Sequence, residues 1–288
     1  MAPKTDLPII IKVFRFYFST LGKLTPNLTN KLLVKLFSTP QTKKVRQREI
    51  VVLKGALQKN VRIEGYDIQV YEWGKGDKIA YLLHGWEGNG GSMGAFVSSL
   101  SQMGYKVITF DGPAHGKSSG KRSNMMEFAK VFNGLTQVYG PAEIIIAHSF
   151  GSGVALYSAI EYGIQPKAAA LLSGTNKIED IFIEFSELMN LDKKQQKSLF
   201  KYISSYYGLN VKDMIMNDYA KKTSIKNTLL IHDKHDKVIP YHNTEAIAKG
   251  WNGAKVLQVE NTGHYKMLWA PVVVNATIDF FKELETRN

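Results

Sequence analysis

A mostly parallel, twisted α/β sheet with helices on both faces is what the sequence predicts, and two observations predict it. Strand-like apolar runs alternate with helical segments along residues 49–288, the pattern of parallel strands joined by helical crossovers. The residues able to do chemistry fall just past the ends of those runs, where an open parallel sheet places its sites. Strand signals lie at 49–53, 66–73, 78–83, 106–110, 143–147, 168–172, 228–232 and 255–259. Helical segments lie at 93–103, 124–138, 154–162, 243–251 and 271–284.

The most informative stretch is 142–151, where the apolar run from Ile144 to Ala147 breaks at His148-Ser149-Phe150-Gly151 and a helix-like segment follows. A serine flanked by small residues between strand and helix is the pattern of a nucleophile elbow, a sharp turn that pushes the hydroxyl out of the sheet. The flanks must be small because strand and helix backbones approach closely there. Ala147 stands where Gly is usual, a departure of one methyl. A serine at such a junction is otherwise most often a helix N-cap.

A serine hydroxyl is a poor nucleophile at neutral pH and needs a base, itself oriented by an acid. The run Leu229 to His232 leads into a polar turn closed by Pro240, with Asp236 just past the strand end. The run Lys255 to Val259 leads into Asn-Thr-Gly-His-Tyr, which puts His264 on a Gly-containing loop. The order Ser149, Asp236, His264 is that of the α/β-hydrolase fold and differs from the chymotrypsin and subtilisin orders. Asp233 competes for the acid's place, but it falls where that family usually has Gly.

Acyl transfer also needs two N–H donors aimed at the developing oxyanion. Phe150, directly after the serine, supplies one, and Trp86, in the loop after the strand ending at Leu83, is the choice for the other. Over residues 50–285 the chain resembles the α/β-hydrolase superfamily, of the serine esterase and lipase type. The resemblance rests on His84-Gly85-Trp86, Asp111 to Ser118, Ala147 to Gly151, Asp236 with Val238 and Pro240, and Gly263-His264. It implies Ser149 as nucleophile, His264 as base, Asp236 as orienter, and the Trp86 and Phe150 amides as oxyanion hole. It calls for no cofactor.

Other readings of the same residues carry less. The run from His232 to Asp236 offers imidazole and carboxylate as zinc would want. On a strand His232 and Asp233 point to opposite faces, and no second such cluster is evident, so no metal is expected. The segment from Gly112 to Ser118 resembles a phosphate-binding loop but has three residues between its glycines where four are required, and Pro113 removes an amide donor. It reads as a tight turn after the strand 106–110. His84 reads as a residue shaping its turn.

With 288 residues, 44% of them hydrophobic, the chain can bury a large core. It has no cysteine, so disulfides, thiolate metal sites and a cysteine nucleophile are excluded. The start lacks a secretory pattern. These features agree with a cytoplasmic enzyme, membrane-associated if its N-terminus so directs.

Residues 1–62 hold 13 Lys/Arg against 2 Asp/Glu, so nearly all of the +12 net charge belongs there. Residues 1–48 are expected to form a basic amphipathic arm of two helices joined around Leu24-Thr-Pro-Asn27, with Pro26 near the start of the second. Such an arm fits peripheral contact with an anionic membrane. It fits at least as well packing on the catalytic domain, residues 49–288, or completing its pocket. No nucleic-acid recognition motif accompanies the basic residues.

The interval from about 174 to 226 interrupts the alternation, with Ile178, Ile181, Phe182, Phe185, Leu188 and Met189 at helical spacing. In the family an insertion here forms a helical cap. Together with Trp86 and His148, its Phe182, Phe185 and Met189 are then candidates to line an apolar substrate pocket, and the same stripe also serves to pin the insertion in place. The function expected is a serine hydrolase of the carboxylesterase, lipase or thioesterase kind, cleaving an ester or thioester of an apolar acyl group. An acyltransferase on the same scaffold, or a non-enzymatic ligand sensor retaining the fold, are the alternatives. Substrate identity and oligomeric state are not legible.

Overall fold

The computed structural model describes residues 7–286. Helices α1 (Ile9–Ser19), α2 (Pro26–Ser38) and α3 (Gln47–Lys54) lead into β1 (Leu57–Ile63), β2 (Tyr66–Trp73) and β3 (Ile79–Leu83). Helix α4 (Val97–Gln102), β4 (Lys106–Phe110), α5 (Met125–Tyr139), β5 (Ala142–His148), α6 (Phe150–Glu161) and β6 (Ala168–Leu172) follow in strict alternation. Helices α7 (Ile178–Leu188), α8 (Lys193–Tyr207) and α9 (Met216–Lys222) precede β7 (Asn227–Asp233), α10 (His242–Gly250) and β8 (Lys255–Val259). A single turn, α11 (Gly263–Lys266), and α12 (Pro271–Glu285) complete the chain.

Among the described residues the strands form one eight-stranded sheet in the order β1-β2-β4-β3-β5-β6-β7-β8. Strands β3 to β8 pair in parallel, while β1 and β2 are antiparallel additions at one edge. The central strands are buried along their length except at Glu143, as parallel strands covered on both faces must be. Alternate residues divide between two cores. Ala80, Leu82, Ile144 and Ile146 join Leu100, Val273 and Phe281 on one face. On the other, the rings of Tyr81 and Phe110 meet Phe132 and Phe128 of α5.

One sequence expectation fails at the sheet's first edge, and one strand there goes unannounced. Residues 49–53 form part of α3 rather than a strand. Their β-branched character is overridden by local capping, in which the Arg46 amide donates to the Glu49 carboxylate at 2.8 Å, and by burial of only Glu49 and Leu53 on one helical face. The true first strand, β1, is polar and mostly exposed, so no apolar signal announces it. It is set by a tight hairpin to β2 through Glu64 and Gly65, both at positive φ.

The chain divides into two units. One comprises residues 40–176 and 216 onward and holds the sheet. The insertion leaves it at Asn176 and returns at Met216, and the amides of Met216 and Asn217 bond back to Asn176. The other unit pairs the N-terminal residues to Thr39 with residues 177–215. Its core joins Phe18, Leu33 and Val34 of the arm to Phe182, Met189, Leu199 and Ile203 of the insertion. Arg15 donates to the Leu188 carbonyl at 2.9 Å, Gln195 to the Phe18 carbonyl at 2.8 Å, and Asn30 to Ser198 at 2.9 Å. The arm's packing partner within this unit is therefore the insertion.

Candidate active site

Strand β5 runs through the middle of the sheet and ends at His148; Ser149 follows with its backbone forced to φ 51°, ψ −118° before α6 begins at Phe150. A non-glycine residue in this region is strained, and such strain persists only where the surroundings impose it. The Ser149 amide donates to the Leu172 carbonyl at 2.8 Å, and the Ser149 carbonyl accepts from Ser152 at 2.9 Å, so the turn is fixed at both ends. Gly151 shows why the pentapeptide needs a small residue: a Cβ there would lie 2.5 Å from the Leu83 carbonyl oxygen and 2.7 Å from that of His84. At the other end Ala147 is accommodated, fully buried and paired with Leu83 and Leu171.

The two other residues converge on this turn from β7 and β8. His264, in α11, has Nε2 2.9 Å from Ser149 Oγ and Nδ1 2.8 Å from Asp236 Oδ2. A carboxylate can only accept, so Nδ1 carries the proton and donates it, which leaves the Nε2 lone pair facing the hydroxyl. Asp236 is held as an anion: burial favours its neutral form, but His232, His264 and the Val238 amide all bond to it and bring its pKa far below the usual carboxylate range. The Ile239 amide also donates to its Oδ1, at 3.0 Å.

Asp233, the competing acid of the sequence, lies elsewhere. Its Oδ2 accepts from the Thr262 amide at 2.6 Å, the Thr262 hydroxyl at 2.8 Å and the Gly263 amide at 2.8 Å. It ties down the loop that carries His264. Burial would raise its pKa, but these bonds outweigh burial and lower it. His232 is likewise a support, accepting from the Thr244 hydroxyl at Nδ1 and donating from Nε2 to the Ile239 carbonyl. The alternation of the strand separates their directions; it does not reveal these partners.

The candidate oxyanion donors lie on two segments whose rings meet. Phe150 opens α6, whose first-turn amides lack partners inside the helix. Trp86 follows Gly85 in a turn closed by the Gly88 amide on the Gly85 carbonyl, and its indole packs edge-on against the Phe150 ring, centroids 5.3 Å apart. The loop after β3 is stitched to that after β4 by His84. Its Nδ1 donates to the Gly85 carbonyl and its Nε2 accepts from the Gly112 amide, a neutral form that burial enforces by lowering its pKa to about 4. Asp111 completes the joint, accepting from the Gly90 and Lys117 amides and the Tyr71 hydroxyl.

The remaining pocket candidates make packing contacts. His148 is buried, and its Nε2 donates to the His264 carbonyl at 2.9 Å; burial, reinforced by the nearby His264, lowers its pKa to about 3. It therefore holds the His264 backbone, a contact that no sequence spacing signals. Phe182 stacks on Phe37 of the arm at 4.2 Å, Phe185 meets the same ring edge-on, and Met189 is buried beside them. The stripe falls on α7, where Phe182, Phe185 and Met189 pack in the core shared with the arm while Leu188 stays 41% exposed.

A family model described as the alpha/beta hydrolase fold matches residues 81–192, and one described as TAP-like protein matches residues 210–287. Similar solved structures include a putative lipase from Acinetobacter baumannii, 17% identical with a TM-score of 0.65 over 86% of this chain and 100% of that one. A membrane phospholipase A, a bacterial virulence factor, is 15% identical with a TM-score of 0.64 over 96% and 98% of the two chains. Est1E from Butyrivibrio proteoclasticus, solved with ferulic acid, is 19% identical with a TM-score of 0.63 over 78% and 98%. Such identities speak to fold alone. None of the curated proteins compared with the chain matches it in sequence. With its strand order, its elbow and the matched family models in agreement, the chain belongs to the alpha/beta-hydrolase superfamily.

Proposed function

We propose that the protein hydrolyses a carboxylic ester or thioester of an apolar acyl group through an acyl-enzyme on Ser149. The observation that carries this reading is the unbroken hydrogen-bonded line Ser149–His264–Asp236, with distances of 2.9 and 2.8 Å. In the first step His264 Nε2 takes the Ser149 proton as Oγ bonds to the carbonyl carbon, and the amides of Trp86 and Phe150 hold the oxyanion. Collapse breaks the bond to the alkoxide or thiolate, which leaves with the proton from Nε2. Water then attacks the acyl-serine, His264 accepts its proton and returns it to Oγ, and the acid departs. Asp236 stays ionised throughout and stabilises the imidazolium.

The apolar character of the acyl group is supported by the rings around the reacting atoms: Trp86 and Phe150 beside the serine, and Tyr265 perpendicular to His264 at 4.9 Å. A p-nitrophenyl ester panel tests both parts. Wild type should turn over these esters with kcat/KM rising from acetyl to octanoyl, and Ser149→Ala should lose roughly 10³-fold or more. Equal rates in the two proteins would remove Ser149 as nucleophile, and a steady fall with chain length would remove the apolar preference. Labelling by a fluorophosphonate, abolished in Ser149→Ala, gives the same answer without a substrate.

A further inference from the structure

We propose that the outer face of the N-terminal helices docks on a bilayer surface bearing anionic lipid. Helix α1 is apolar on both sides. Phe14 and Phe18 turn inward to the core shared with the insertion, while Ile9, Val13 and Phe16, spaced at i, i+4 and i+7, face solvent. Phe16 is 69% exposed and Ile9 80%. Leu21, Leu24 and Leu28, next in the chain, are exposed as well, with Leu24 at 79%. A folded domain has no use for such a run of large apolar side chains in water unless something covers it.

Charge selects the occupant. Residues 7–39 hold five basic side chains, Lys12, Arg15, Lys23, Lys31 and Lys35, and no acidic one. All four lysines are exposed. A second copy of the chain would bring like charge against like charge, and a nucleic acid would leave the apolar row unburied. An anionic lipid surface satisfies both, since apolar side chains enter the acyl boundary while ammonium groups meet the headgroups. The helix lies on the surface and does not cross it. Eleven residues reach about 16 Å against a hydrocarbon core of roughly 30 Å, and no helix among the described residues is long and apolar enough to span. Docking makes no use of Ser149 and stands apart from the proposed hydrolysis.

Co-sedimentation of the full chain with liposomes tests this. Wild type and Ser149→Ala should pellet equally with phosphatidylcholine vesicles containing phosphatidylserine, and at least tenfold less with phosphatidylcholine alone. Val13→Asp with Phe16→Asp should lower partitioning about tenfold or more with an unchanged melting temperature. Lys12→Glu with Lys35→Glu should do the same, and 0.5 M salt should weaken wild-type binding. Absence of wild-type pelleting, equal pelleting with both lipids, or unchanged pelleting of both variant pairs would each overturn the proposal. So would sedimentation velocity showing a dimer that Val13→Asp with Phe16→Asp dissolves while vesicles bind nothing, which would assign the face to a second copy.

Discussion

Two aspartates three residues apart divide the labour at the end of β7, and the division can be measured. Asp236 orients His264, whereas Asp233 holds the Thr262–Gly263 backbone on which His264 rides. Asp236→Asn preserves shape but presents an amide that can donate to Nδ1, favouring the imidazole tautomer with its proton on the wrong nitrogen. Under the proposed mechanism kcat should fall roughly 10⁴-fold with KM and melting temperature little changed. Asp233→Ala should do the opposite. Buried donors left without an acceptor cost on the order of 1–3 kcal/mol each, so the melting temperature should drop by several degrees. The loop would loosen, and kcat should fall only about 10- to 100-fold. If the two variants proved equal in both readouts, the separation of roles would be wrong. His148 belongs with Asp233 in this division, since it grips the His264 carbonyl and not its reactive ring nitrogen.

At the scale of elements, the elbow is a close packing of β3, β5 and α6, and Gly151 is the point where it has no slack. Gly151→Ala would drive a methyl into backbone oxygens of Leu83 and His84, which cannot rotate aside. We expect a stability loss of about 1–3 kcal/mol in urea unfolding, with activity lost disproportionately because Ser149 shifts with the turn; wild-type stability and rate in this variant would refute the account. The same close packing explains what the sequence could reveal. Strands β3 to β7 are apolar because both their faces are covered, so their runs are visible, and the loops at their ends carry the residues that reading singled out. Strand β1 is an exposed polar edge and leaves no apolar trace. Helix α3 exposes Val51 yet buries Glu49, an inversion that capping and packing impose against propensity. Nor could local spacing show that α2 and α7 share a core, because Phe37 and Phe182 meet across 145 residues of chain. Ser149, Asp236 and His264 could be singled out because a nucleophile with its base and acid demands particular side chains at strand ends, and the structure brings the three within hydrogen-bond distance. The supports, His148, His232 and Asp233, could not, because a buried hydrogen bond leaves no pattern in a single sequence.

Over the whole molecule, acid should act on the sheet-bearing unit through histidines that the fold keeps neutral. Burial lowers the pKa of His84 to about 4 and those of His115 and His148 to about 3, against about 6.5 in an unfolded chain. Below pH 6.5 the unfolded chain therefore binds protons that the folded chain refuses, and stability falls as pH falls. Above pH 6.5 these groups carry no proton in either state and contribute no slope. Each contributes a slope on the order of 1 kcal/mol per pH unit through the window from about 6 down to about 4, so three acting together are comparable with the total stability of a domain. Asp233 and Asp236 act later: their folded pKa values are depressed, so their contribution is present above about pH 4 and is lost below it. Urea midpoints should thus be flat from pH 8 to 7 and fall steeply between 6 and 4. His115 isolates the effect, because among the described residues its Nε2 is buried without a hydrogen-bond partner and only Nδ1 is engaged, with the Pro113 carbonyl. His115→Gln should remove about a third of the slope between pH 6 and 4, whatever it does to stability at pH 8. An unchanged slope in that variant would show that acid sensitivity originates elsewhere.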